Sequence, residues 1–523
     1  MIQLNNVDII LNSNGRYLVR ELSFTLNSSD RAVIIGEEGN GKSTLLKLIC
    51  DPSLIEDHAS HVGSIARGGH RIGYLPQDMA VDDRSLPIYM YMEERASLSQ
   101  REPKHVASVC AKLGLPAELL WDDRAACTLS GGEKVKLQLA AILLNEPDML
   151  LLDEPTNDID IETLEWLEGF INSFPGGVLF VSHDETLIEN TANMVIHIEH
   201  VHHKKVCRHT VARLSYRDYI ERRTGAMQHQ EQVARKEADE QRKKEERWRE
   251  IYEKVERDQR NISRGDPSGG RLLKKKMHSV MSQGRRLEKE RDSLTELPVT
   301  EWQIFLDLPP VDMPSRKEII RFELPVLSAP DGSMLARDVA LSVNAAEHIA
   351  IIGRNGTGKT ALLRQIEREL STRRDIKVFY MPQNYDELLP DGVTPIEFLA
   401  PSGEKEAVTK ARTYLGSVRY TADEAEQPAS RLSGGQKAKL MFVKMAVEGY
   451  NVLLLDEPTR NFSPLSSPVI RGVLSRFGGC IISVTHDRKY LSEVCNKVYE
   501  LTESGLSPAD RQQKPLPNSE NTV

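Results

Sequence analysis

The sequence predicts an α/β protein: two tandem domains, each with a parallel sheet, joined by a long antiparallel α-helical linker. Three observations lead there. The same short motifs recur in the same order in both halves of the 523 residues. In each half the first motif follows a short apolar run, Ala32-Val33-Ile34-Ile35 or Ile349-Ala350-Ile351-Ile352, and opens a helix-like segment beginning Ser43-Thr44-Leu45 or Thr360-Ala361-Leu362. Between the halves, residues 217–260 are nearly continuous Glu, Lys, Arg and Gln, with no glycine or proline apart from Gly225.

The repeats justify the duplication. Gly36-Glu37-Glu38-Gly39-Asn40-Gly41-Lys42-Ser43 and Gly353-Arg354-Asn355-Gly356-Thr357-Gly358-Lys359-Thr360 both fit G-x-x-x-x-G-K-[ST]. Leu129-Ser130-Gly131-Gly132 recurs as Leu432-Ser433-Gly434-Gly435, and Leu152-Asp153-Glu154-Pro155-Thr156 as Leu455-Asp456-Glu457-Pro458-Thr459. Val181-Ser182-His183-Asp184 recurs as Val484-Thr485-His486-Asp487. Ser130 to Ser433, Asp153 to Asp456 and His183 to His486 are each 303 residues apart, whereas Lys42 to Lys359 is 317. The first copy therefore has 14 extra residues between its glycine-rich loop and its LSGG motif. The expected copies are 1–210 and 320–500, with the linker at 217–296 and a disordered tail at 504–523. The apolar runs 150–152 and 178–181 read as further buried strands.

Composition bounds the class. A chain this long holds roughly three to five domain-sized pieces. It is 40% apolar, yet has no run of 18 apolar residues, so no membrane-spanning helix is expected. No basic segment followed by an apolar stretch opens the chain, so no signal peptide is expected. The six cysteines form no C-x-x-C pair, which fits a reducing, cytoplasmic setting. The net charge of −9, taken whole, disfavours a nucleic-acid partner. Its distribution reverses that inference: the linker carries +5 and the remainder −14.

The glycine-rich loops point to phosphate. Glycines let the backbone curl so that consecutive N–H groups face one anion, and the helix N-terminus adds a positive dipole end. Residues 36–44 and 353–360 are the expected cradle. Lys42 and Lys359 would reach the β- and γ-phosphates, while Ser43 and Thr360 would offer hydroxyls to Mg²⁺. Asp153 and Asp456, at the ends of apolar strands, are candidate Mg²⁺ ligands through water. Glu154 and Glu457 are placed to polarise attacking water. His183 and His486 are candidate γ-phosphate contacts. Gln77 and Gln383, in the matching contexts Tyr74-Leu75-Pro76-Gln77 and Tyr380-Met381-Pro382-Gln383, would coordinate the metal. One glycine-rich match is explained by an ordinary turn; two, each with the same companions, are not.

The order glycine loop, glutamine, LSGG, acidic pair and histidine resembles the ABC-type ATPases, over both copies. The resemblance implies two ATP molecules sandwiched head to tail. One would sit on residues 36–43 facing Ser433, Gly434 and Gly435; the other would sit on 353–360 facing Ser130, Gly131 and Gly132. Glu38 departs from the family, which often has Asn there, and puts a carboxylate near a polyanion. Arg460-Asn461-Phe462-Ser463-Pro464 also departs from the family's N-x-L-D pattern, so the two sites are expected to be unequal. Neither copy has an aromatic residue clearly placed to stack on adenine; Tyr17 is one candidate, and base recognition stays open.

The linker separates the functional alternatives. It reads as a helix of about 60 Å, a loop at 261–270 and a second helix from Arg271 to Leu294. The second helix would pack through Leu272, Leu273, Met277, Val280, Met281 and Leu287. Eight basic residues (Arg260, Arg264, Arg271, Lys274, Lys275, Lys276, Arg285, Arg286) face Asp266 alone between 260 and 286, which suits an RNA phosphate backbone. Two such ATPase domains with a long charged linker resemble the ABC-F family. Leu214-Ser215-Tyr216-Arg217-Asp218-Tyr219 and Lys275-Lys276-Met277-His278-Ser279-Val280 are similar to its text. The resemblance implies a monomer that binds the ribosome, contacting rRNA and tRNA. Its arm would reach toward the peptidyl-transferase centre, and it would protect against antibiotics. The alternatives are a housekeeping ABC-F translation factor, the ATPase subunit of a transporter, a DNA-associated ATPase, and an ATPase whose arm binds protein.

Overall fold

In the computed structural model the described residues are 1–201, 206–261, 267–295, 297, 305–314 and 316–509. They form two compact units, residues 1–216 with 301–523 and residues 217–300. The first unit contains both sequence copies.

Each copy is built on a six-stranded sheet with five parallel strands and one antiparallel edge. In the first copy the order is Ile72–Leu75, Met149–Asp153, Gly177–Val181, Arg31–Ile35, Met194–Val201, Val206–Ala212. In the second it is Val378–Met381, Val452–Asp456, Cys480–Val484, His348–Ile352, Lys497–Thr502, Gly505–Pro508. The central strands are buried along their whole length, which is why they read as continuous apolar runs rather than alternating ones. The strand carrying each glycine-rich loop lies between two parallel neighbours. The loop thus emerges at the carboxyl end of the sheet, where α/β folds place their ligands.

A smaller antiparallel sheet packs on each copy. In the second it pairs Glu318–Ser328 with Met334–Asn344; in the first a third strand, Ala59–Ala66, joins Ile2–Leu11 and Tyr17–Leu26. That strand accounts for most of the extra length, since eleven of the 14 residues fall between Lys42 and Gln77.

The boundaries differ from the sequence expectation. The first copy's sheet runs to Ala212. The second copy begins before residue 320, because Leu306 is buried in its helical core with Leu308 and Val311 against it. Gly505–Pro508 is an edge strand paired with Lys497–Thr502, so it is no part of a disordered tail. Residues 510–523 lie outside the described residues.

The second unit consists of helices Tyr216–Asn261, of 46 residues and about 69 Å at 1.5 Å per residue, and Pro267–Asp292. Their pairing is antiparallel: Gln241 Nε2 donates to the Leu287 carbonyl and Trp248 Nε1 to the Val280 carbonyl, both at 2.8 Å. Gly284 allows the close approach, since a Cβ there would stand 2.8 Å from the Trp248 ring. Of the expected packing face, Val280 and Leu287 are buried, and Leu273 and Met277 are half-buried. Leu272 and Met281 face out, because a single partner helix covers only a narrow stripe.

Candidate nucleotide sites and basic arm

The glycines of the two loops have a steric reason. At Gly36, φ is +150° and a Cβ would lie 2.3 Å from the Ile198 carbonyl oxygen; at Gly353 it would lie 2.5 Å from that of Leu501. Gly39, Gly41, Gly356 and Gly358 lie at φ between 79° and 93°. Asn40, fully buried, ties the first loop to the sheet through Ile198 at 3.1 Å, and Thr357 Oγ1 donates to the Arg354 carbonyl at 2.9 Å in the second. Lys42 Nζ folds onto the carbonyls of Gly36 and Glu37 at 2.9 and 3.0 Å, and Lys359 onto Gly353 and Arg354 at 2.8 and 2.9 Å.

Each hydroxyl that follows the lysine meets the strand-end aspartate. Ser43 Oγ donates to Asp153 at 2.9 Å and Thr360 Oγ1 to Asp456 at 2.7 Å. Tyr74, just ahead of Gln77, also donates to Asp153 at 3.3 Å. Hydroxyl, carboxylate and a neighbouring glutamine are hard oxygen donors that fit Mg²⁺. Among the described residues no group of three or more His, Cys, Asp and Glu is placed to hold a metal. The hydroxyl and the carboxylate of each site would hold Mg²⁺ only with other ligands, such as phosphate oxygens and water.

The acidic pairs sit on strained turns. Glu154 has φ 49° and Glu457 φ 52°, and their N–H groups are pinned to the Val181 and Val484 carbonyls at 3.0 and 2.9 Å. Three donors converge on Glu154: Gln77 at 3.0 Å, Asn157 at 2.9 Å and His183 Nε2 at 3.2 Å. Burial works to raise its carboxyl, but His183, Lys42 and Asn157 prevail and bring it to about 2. Glu457 is poorer in partners, with His486 Nε2 at 3.8 Å and the His486 N–H at 3.4 Å. The residue matching Asn157 is Arg460, which pairs with Asp158 of the first copy at 3.0 Å instead. Burial, then Asp456, pushes Glu457 up to about 8. Burial also holds His486 down to about 4, whereas Glu154 outweighs burial at His183 and raises it. Burial lifts Asp153 to about 6 and raises Asp456 as well.

Both sites are shared between the copies. A cavity of about 240 Å³ is lined by Glu38, Gly39, Lys42, Ser43, Thr44, Gln77, Glu154 and His183 of the first copy, with Arg460 and Asn461 of the second. A cavity of about 450 Å³ is lined by Asn355, Lys359, Thr360, Gln383, Glu457 and His486 of the second, with Gly131, Asn157 and Asp158 of the first. Ser130 and Ser433 cap the helices Gly131–Leu143 and Gly434–Glu448 in capping boxes with Glu133 and Gln436. This puts Gly131-Gly132 and Gly434-Gly435 in helical first turns, whose N–H groups lack intrahelical partners. Glu38 accepts from Gly434 N–H at 3.2 Å and also from Gly435 N–H. Asn355 donates to the Asp158 carbonyl at 2.5 Å and Arg354 to Glu162 at 3.0 Å. His183 Nδ1 reaches the Phe462 carbonyl of the other copy at 2.8 Å. Each loop therefore faces the opposite copy.

Some residues depart from expectation. Tyr17 is 40% exposed, carries Arg20 over its ring and does not line the first cavity. Arg460 lines both cavities; it was legible only as a departure from pattern, with no indication of its partner. Glu37 is taken by the second copy's Ser463, Ser466 and Lys439. Burial opposes its ionisation, but Lys439 and the two hydroxyls overcome it and lower its pKa.

In the second unit Arg260, Arg271, Lys274, Lys275, Lys276, Arg285 and Arg286 are all exposed. Arg260 pairs with Glu256 at 2.7 Å and Arg286 with Glu290 at 3.0 Å on their own helices. Arg264 and residues 262–266 of the expected tip lie outside the described residues. Among the described residues no helix is long and apolar enough to cross a membrane.

Comparison with known proteins agrees with this geometry. Residues 19–157 and 336–460 match the family described as ABC transporter. The chain is 29% identical to the tylosin resistance ATP-binding protein TlrC of Streptomyces fradiae, covering 95% of this chain and 96% of that one. It is 25% identical to ATP-binding cassette sub-family F member 3 of Mus musculus, covering 95% and 71%. A solved structure described as a model of ribosome-bound archaeal Pelota and ABCE1 shares the fold, with a TM-score of 0.57 and 15% identity over 96% of this chain and 78% of that one. The chain belongs to the ABC family of ATPases, in its tandem-domain ABC-F branch.

Proposed function

We propose that this protein closes its two ATPase copies around two MgATP, binds the ribosome in that state, and inserts its helical arm near the peptidyl-transferase centre to protect against antibiotics. The observation that carries the reading is the arm itself: paired helices with exposed Arg271, Lys274, Lys275 and Lys276 at one end, in a protein otherwise acidic. Local positive charge acts at contact, while charges beyond about 8–10 Å are screened at ordinary salt. The resistance function named for TlrC supports the protective role.

In this reading Lys42 and Lys359 hold the terminal phosphates, and Ser43, Asp153 and Gln77, with Thr360, Asp456 and Gln383, hold Mg²⁺. The ion supplies charge neutralisation for phosphoryl transfer. Glu154 and Glu457 orient water, with His183 and His486 beside them. His183 also touches the second copy at Phe462, a contact through which hydrolysis in the first site would be felt across the interface.

The test uses Glu154→Gln with Glu457→Gln, which traps the closed state. In ATP this variant is expected to co-sediment with ribosomes and inhibit translation; recovery in the soluble fraction overturns the reading. Adding Lys274→Glu, Lys275→Glu and Lys276→Glu should abolish co-sedimentation, and raising salt should weaken it steeply. Inhibitory concentrations of peptidyl-transferase antibiotics should rise in cells carrying the gene. Unchanged values with ribosome binding intact would assign the protein to translation itself.

A further inference from the structure

The two glycine-rich loops differ where each meets the other copy. The second has Arg354 and Asn355; the first has Glu37 and Glu38 at the same positions. Glu37 is engaged by Ser463, Ser466 and Lys439. Glu38 reaches the amino end of helix Gly434–Glu448, where its two carboxylate oxygens accept from Gly434 and Gly435. Ser433 Oγ takes the next amide, Gln436 N–H, at 3.3 Å. The first-turn amides of this helix are thus satisfied by an anion from the same chain, at the place where a helix N-terminus favours a phosphate. In the other site the matching side chain is a neutral amide, and Asn355 donates to Asp158. The first cavity is also the smaller, about 240 against 450 Å³, and Glu38 lines it.

We propose that Glu38 is an internal anion that occupies the phosphate position on the LSGG helix of the first composite site, so that MgATP closes that site only by displacing it. The carboxylate then acts twice. Before nucleotide binds, it cross-links the first loop to the second copy. When nucleotide arrives, it competes for the same amides and repels the triphosphate. The second site, with Asn355, has no such competitor and fills first. Nucleotide selectivity between two sites of one molecule is therefore set by one side chain.

Equilibrium binding of Mg²⁺ with a non-hydrolysable ATP analogue, on the full chain, tests this. In a Lys359→Ala background only the first site is read, and Glu38→Asn should tighten binding at least tenfold. In a Lys42→Ala background only the second is read, and Asn355→Glu should weaken it comparably. Without nucleotide, amide exchange at Gly434 and Gly435 should be slow in the parent chain and at least tenfold faster in Glu38→Asn. Unchanged or weaker binding in Glu38→Asn, or amide exchange indifferent to Glu38, overturns the proposal. The proposal rests on the two MgATP sites of the reading above; neither readout involves ribosomes, so its failure is distinguishable from failure of the ribosome reading.

Discussion

At Gly36 the chain has no room for a methyl group. Two separate costs meet there, the positive φ and a carbonyl at 2.3 Å from the missing Cβ. At Gly39 only the first applies, since nothing stands within 4 Å. Gly39→Ala is therefore expected to cost about 1 kcal/mol of stability, and Gly36→Ala about 2 kcal/mol or more. Urea unfolding of the two variants side by side checks the order; equal costs would remove the steric account. These glycines were legible in the sequence because loop chemistry is local: spacing alone says where the backbone must curl. Ser43 and Asp153, 110 residues apart, were legible only as separate candidate Mg²⁺ ligands. Partners on the other copy were not legible. Glu38 meets amides 396 and 397 residues away, and Arg460 announces a cation without naming Asp158.

Along the arm, the element is held by narrow contacts rather than by a broad apolar face. Trp248 sits tilted against Tyr252 with ring centroids 5.4 Å apart, donates to Val280 and lies over Gly284. Gly284→Leu should force the helices apart, and Trp248→Ala should leave them loosely packed. Each is expected to destabilise the arm by about 1–3 kcal/mol, and the double variant by less than the sum, because the leucine fills the space the indole leaves. Limited proteolysis of the arm, with ATP turnover as control, reads this; strict additivity would show that the two residues do not pack on each other. The sequence gives the helices through composition and the absence of breakers, but it misplaces their lining. Leu272 and Met281 have the right spacing for a packing face, yet a two-helix pair has no second neighbour to cover them.

At the scale of the whole ATPase body, the copies meet through charge of opposite sign at equivalent positions. Arg471, with its side chain 2% exposed, bonds Glu185 at 2.8 Å and Glu493 at 2.7 Å. Arg488 bonds Glu168 and also Asp184 at 3.2 Å, and Lys489 bonds Glu189 at 2.6 Å. Glu185 also pairs with Lys489 at 3.0 Å, so Arg471→Met leaves it half its cationic partners and should cost about 2–3 kcal/mol, recovered in part when Glu185→Leu is added. Thermal melts of the single and double variants check it; no recovery would mean that Glu185 is not the strained partner. By the 303-residue offset, Glu168 matches Arg471 and Glu185 matches Arg488. The repeat makes the two surfaces equivalent in position, and the opposite charges give them a polarity. Two first copies would set Glu168 against Glu185, and two second copies would set Arg471 against Arg488. Expressed as separate chains, the halves would choose each other over themselves. The ion pairs that join the two copies therefore also specify which copy each surface accepts.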